Sequence, residues 1–109
     1  MSDLTPEAAA ELLGTSGTQL VDVRTAPEHA AERIAGDRLI ELDRLPAEAG
    51  SIDRERPLIF YCKTGARSAL ATDAFRVAGY DAHNLAGGIE AWVARGLPVE
   101  PGDGGSAAH

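Results

Sequence analysis

The sequence predicts a single α/β domain with a mainly parallel central sheet flanked by helices. Three observations carry that reading. The apolar runs are strand-length and alternate with Ala-rich stretches of helical spacing, as in strands joined by helical crossovers. The 109 residues suffice for one compact core and leave no room for a second. A composition of 44% hydrophobic and 25% charged residues is that of an ordinary folded chain, far from the composition of disordered segments.

Taken in order, Thr5, Pro6 and Glu7 read as an N-cap, a first-turn proline and an acidic first turn, and Gly14 as a stop. They predict a helix from Pro6 to Leu13. QLVDV, residues 19–23, is a short strand that places Asp22 and Arg24 near its carboxyl end; Thr25, Ala26 and Pro27 then lead into a short helix from Pro27 to Arg33. Leu39 to Leu42 reads as a weak strand and Leu45 to Gly50 as a helical turn. LIFYC, residues 58–62, is an uninterrupted apolar run of the kind found in a central strand buried on both faces. Leu70, Ala71, Ala74, Phe75 and Ala78 recur at helical intervals, which predicts a helix from Ser68 to Val77 ended by Gly79. A further strand is expected from Tyr80 to Leu85, a tight turn at Gly87 and Gly88, and a last helix from Ile89 to Ala94 stopped by Gly96 and Pro98. The closing EPGDGGSAAH is rich in Gly and Pro and has no apolar anchor. The domain is therefore expected to span residues 1–100 and residues 101–109 to form a disordered tail, with Gly104 and Gly105 as an inert part of it.

Charge and cysteine content narrow the function. Ten Lys and Arg against 17 Asp and Glu give a net charge of −7, and only one cation is Lys, so a nucleic-acid partner is disfavoured. No apolar stretch approaches the roughly 18 residues of a membrane span, and the N-terminus lacks a signal-peptide pattern, so a cytoplasmic protein with no membrane partner is expected. The single cysteine, Cys62, excludes an internal disulfide and a multi-cysteine metal site. His29, His83 and His109 are too scattered in sequence to suggest a metal site, and neither metal nor cofactor is expected.

Residues 58–68, LIFYC followed by KTGARS, carry the chemistry. A buried strand runs into a Gly-containing loop and at once into a helix. In parallel sheets ligands bind beyond the carboxyl ends of the strands, and a loop entering a helix N-terminus aims N–H groups at an anion. Those amides, with Arg67 and Lys63, would favour the thiolate of Cys62 and make it a nucleophile at neutral pH. Gly65 permits a close approach that a Cβ would obstruct. A lone cysteine after LIFY also fits a small buried hydrophobe. The adjoining Gly65, Arg67 and helix start favour the nucleophile.

With LVDVR at 20–24, PEHAAERIAG at 27–36, YCKTGARS at 61–68 and GGIEAWVARGLPVE at 87–100, the chain resembles a single rhodanese-like sulfurtransferase domain over nearly its whole length. The resemblance implies a sheet of about five strands and a catalytic cysteine opening the loop from Cys62 to Arg67. It also implies a two-step reaction, in which Cys62 takes the outer sulfur of a small anionic donor such as thiosulfate, or of a persulfide, and the resulting persulfide passes it to a thiol, cyanide or protein acceptor. Lys63, Thr64, Gly65, Ala66, Arg67 and Ser68 become the substrate-binding residues. A monomer is expected. Phosphatases built on similar scaffolds place one residue more between Cys and Arg, so a phosphatase would lack its arginine in register here.

Asp22 and Arg24 are supporting residues, either positioning the loop or fixing strand-end packing. Trp92 reads as core. Departures from the family pattern fall in the second motif, where Arg33, Ile34, Ala35, Gly36 and Asp37 replace a more usual run and Glu41 replaces a proline. An alternative is a sulfur-carrying interaction module with little free thiosulfate turnover.

Overall fold

The structure is a computed structural model and describes residues 3–15 and 17–101. It runs β1 (Asp3–Leu4), α1 (Pro6–Leu13), β2 (Gln19–Asp22), α2 (Ala26–Ala31), β3 (Glu32–Arg33), β4 (Arg38–Leu39), a 3-10 turn (Leu42–Arg44), α3 (Leu45–Glu48), a second 3-10 turn (Ala49–Ser51), β5 (Leu58–Tyr61), α4 (Ala66–Val77), β6 (Ala82–Leu85), α5 (Gly88–Ala94) and β7 (Glu100–Pro101). Five strands form one sheet in the order β1-β6-β5-β2-β4, every pair parallel, and β3 and β7 form a separate antiparallel pair.

The apolar run of β5 explains its place. All four residues are fully buried, because the strand pairs on both edges and is covered on both faces. Side chains alternate across a strand. Leu58, Phe60 and Cys62 accordingly join one core with Val21, Ile40, Leu45, Ala71 and Phe75, while Ile59 and Tyr61 join the other with Ala9, Leu20, Leu85, Ile89 and Trp92. Trp92 is core as expected, and its Nε1 donates to the Pro98 carbonyl at 2.8 Å.

Several expectations need correction. The helix after the Cys62 loop starts at Ala66 rather than Ser68, because Gly65 caps it with a φ of +101° and the last two expected loop residues become its first turn. The helix expected from Pro27 to Arg33 ends at Ala31, where Glu32 turns extended (φ −166°) and opens β3. The strand expected over Leu39–Leu42 is Arg38–Leu39, and Leu42 begins a 3-10 turn. Pro101, the first residue of the expected disordered tail, pairs instead with Glu32, beside the pair of Glu100 with Arg33. The remaining tail, with Gly104, Gly105 and His109, lies outside the described residues.

Candidate active site

Cys62 is the first residue past the buried central strand, so its sulfur lies at the carboxyl edge of the sheet, where α4 begins. Three polar contacts converge on Sγ: the Gly65 amide at 3.1 Å, the Ser68 amide at 3.4 Å and the Ser68 hydroxyl at 3.3 Å. Burial alone would raise the thiol pKa. The Ser68 hydroxyl and the amides of Ser68, Gly65 and Thr64 outweigh burial and hold it below its ordinary value. Cys62 is only 1% exposed, so its sulfur is less open than the sequence suggested.

The first turn of α5 holds the loop. Ile89 and Glu90 donate their amides to the Cys62 and Lys63 carbonyls at 2.9 and 3.1 Å. That approach is possible because residue 88 is glycine: a Cβ there would stand 2.5 Å from the Cys62 carbonyl oxygen. Gly65 faces the same turn, and a Cβ on it would lie 3.1 Å from the Gly87 amide nitrogen.

The structure sorts the residues singled out from sequence. Gly65 and Ser68 touch the sulfur, and the Thr64 amide faces it. Lys63 on the loop and Ala66 at the start of α4 are exposed, with Lys63 Nζ 3.9 Å from Glu90 Oε2. Arg67 does not reach into the cradle. Its Nη1 and Nη2 donate to the two Glu28 oxygens at 2.9 and 3.0 Å, which ties α4 to α2. Neither the Asp22 nor the Arg24 side chain hydrogen-bonds to residues 62–68. The two are buried together, Arg24 Nε and Nη2 gripping both Asp22 oxygens, and Nη2 also donates to the Glu32 carbonyl at 2.6 Å.

His29, treated in sequence as isolated, meets two carboxylates. Its Nδ1 lies 3.0 Å from Asp22 Oδ2 and 3.4 Å from Asp37 Oδ2. These ligand-type atoms are already engaged, since Arg24 holds Asp22 and the Tyr61 hydroxyl donates to Asp37 at 2.6 Å, and the cluster is hydrogen-bonded within itself.

Sequence reasoning missed Glu28 and Asn84. Thr25-x-x-Glu28 is a capping-box pattern, and the Thr25 amide and hydroxyl both donate to Glu28 Oε1, so Glu28 could have been anticipated at the helix start, though not its partner Arg67. Asn84 is 4% exposed and is a buried polar residue in the AHNL strand β6. Its only sequence signal is its polarity within a strand.

Hollows flank the loop on both sides. One, of about 440 Å³, is lined by Arg24, Glu28, Lys63 and Glu90 among others; the second, of about 480 Å³, by Arg24, Glu41, Asp43 and Arg67 among others. Cations and carboxylates line both.

Comparison with known proteins shows the family and agrees with the fold. The sequence profile of the Rhodanese-like domain matches residues 5–95. The chain is similar to a sulfurtransferase of Allochromatium vinosum, 35% identical over 94 residues that cover 85% of this chain and 88% of the relative. It is similar to the thiosulfate sulfurtransferase GlpE of Actinobacillus succinogenes, 29% identical over 100 residues, covering 91% and 90%. In fold it matches a rhodanese-related protein of Thermoplasma volcanium with a TM-score of 0.85 at 24% identity, over 92% of this chain and 98% of that one.

Proposed function

The chain belongs to the rhodanese-like domain family, and from that premise we propose that it transfers sulfane sulfur through a persulfide on Cys62. The observation that carries the reading is the convergence of the Gly65 and Ser68 amides on Sγ at the start of α4. A terminal persulfide sulfur bears negative charge, and preorganised N–H donors stabilise it as an oxyanion hole stabilises an alkoxide.

In the first step the Cys62 thiolate attacks the outer sulfur of the donor. With thiosulfate, the S–S bond of the donor breaks, its electron pair leaves on sulfite, and Cys62 holds a persulfide anion. In the second step an acceptor thiolate attacks that outer sulfur, a new S–S bond forms on the acceptor, and the Cys62 thiolate is regenerated. No general base is required when the thiol is already ionised.

A second reading rests on the paired cations. Arg67 is held at both nitrogens by Glu28, and the exposed Lys63 stands 3.9 Å from Glu90, so carboxylates compete with a small dianion for both cations. This favours a protein persulfide as donor, with free thiosulfate a poor substrate.

Intact mass separates the two. The first reading expects thiosulfate to add one sulfur atom, lost on reduction and absent in Cys62→Ser. Loading by a protein persulfide but not by thiosulfate selects the second, and loading by neither removes both.

A further inference from the structure

Buried hydroxyls force a choice, because Ser68 has one hydrogen and two groups within reach of it. Its Oγ lies 2.6 Å from Asn84 Oδ1 and 3.3 Å from Cys62 Sγ. The shorter contact fixes where the hydrogen rests, provided the Asn84 oxygen faces Ser68. It does, because the other end of the carboxamide meets only acceptors: Nδ2 donates to the Gly65 carbonyl and to Asp3 Oδ1, each at 3.2 Å. Turning the amide over would set its oxygen against both of those oxygens. Ser68 and Asn84 are 0% and 4% exposed, so water does not relieve the competition.

We propose that Asn84 is a positioning residue for the Cys62 sulfur, acting by holding the single hydroxyl hydrogen of Ser68. With that hydrogen on Asn84, the Ser68 oxygen offers Sγ a lone pair, which suits the thiol. When the thiol ionises, the hydroxyl must turn toward the sulfur, and Asn84 Oδ1 loses its donor. Asn84 thereby opposes part of the stabilisation that Ser68 gives the thiolate, while its bond to the Gly65 carbonyl keeps the neighbouring amide in the cradle. The charged groups around this set are Asp3 of β1, which holds Nδ2, and Arg67 of α4, paired with Glu28 of α2. This inference rests on Cys62 being the nucleophile of the proposed function.

The chain has one cysteine, so its alkylation by iodoacetamide reports on Cys62 alone and requires no sulfur donor. A failure of sulfur transfer therefore remains distinguishable from a failure of this inference. The rate is followed against pH in the native sequence, Asn84→Leu, Ser68→Ala and the double variant, with the thermal midpoint recorded for each. Asn84→Leu is expected to lower the titration midpoint by about half a unit to one unit, the worth of one redirected hydrogen bond, and to have no such effect when Ser68 is absent. An unmoved midpoint overturns the proposal, as does an equal shift with and without Ser68, which would assign Asn84 to loop support alone. If Asn84→Leu does not fold, Asn84→Ala decides. It too frees the Ser68 hydrogen, so the midpoint must fall, and an unchanged or higher one overturns the proposal.

Discussion

Glu28 is the residue on which two local devices meet. Its Oε1 accepts the Thr25 amide at 3.0 Å, closing the capping box of α2, and also accepts Arg67 Nη1 at 2.9 Å. The Arg67 hydrogen bonds, the largest influence, hold its pKa at about 2 instead of the ordinary 4.5, with burial working in the other direction. A depressed carboxyl contributes stability that is complete above 4.5 and disappears as pH falls toward about 2. Glu28→Gln should therefore flatten the acid limb of the unfolding midpoint between those values, by no more than about 1 kcal/mol since both partners are partly exposed. An unaltered acid limb would show that the pair adds nothing. The same variant tests Arg67. Braced as it is, Glu28→Gln and Arg67→Ala should lower thiosulfate turnover by similar factors, roughly threefold to tenfold. A rise in turnover in Glu28→Gln would mean that a released Arg67 serves as donor anchor.

Among the elements, the α5 turn acts most directly on the site. Gly88 leaves room for the Ile89 and Glu90 amides to reach the Cys62 and Lys63 carbonyls, and its φ of +64° lies in the left-handed region. Gly88→Ala has to displace the loop backbone. We expect a loss of about 2–3 kcal/mol in unfolding free energy and slower Cys62 alkylation per folded molecule. Normal alkylation in a destabilised variant would separate the turn from the cradle. Elements with local signals were legible in the sequence. Helix α1 runs from Pro6 to Leu13 as expected because its determinants are neighbours: Thr5 Oγ1 accepts the Ala8 amide at 3.1 Å, Pro6 starts the helix and Gly14 closes it. The two-residue strands β1, β3 and β7 carried no such signal. Their existence depends on partners far along the chain, as when Asp3 pairs with Asn84 and Arg33 with Glu100.

For the molecule as a whole, a net charge of −7 opposes every small anion that approaches it. Around the loop the cations Lys63 and Arg67 stand beside the carboxylates Glu90 and Glu28, so the long-range field is not reversed by free local charge. Salt screens like-charge repulsion over a Debye length of about 10 Å at 0.1 M. The kcat/KM for thiosulfate is accordingly expected to rise with added sodium chloride. A steady fall would show that attraction to loop cations dominates. Among the described residues no helix is long and apolar enough to cross a membrane.

The alternation of the longer strands and helices, the central place of LIFY and the loop beginning at Cys62 were determined by the sequence alone, because buried runs, caps and glycine turns act over a few residues. The partners of the site residues were decided by the tertiary structure. Arg67 faces Glu28 across 39 positions and Ser68 faces Asn84 across 16, and no local propensity specifies such contacts. They arise when the parallel sheet brings the ends of β2, β5 and β6 to one edge, where a side chain's chemistry depends on what folding has placed beside it.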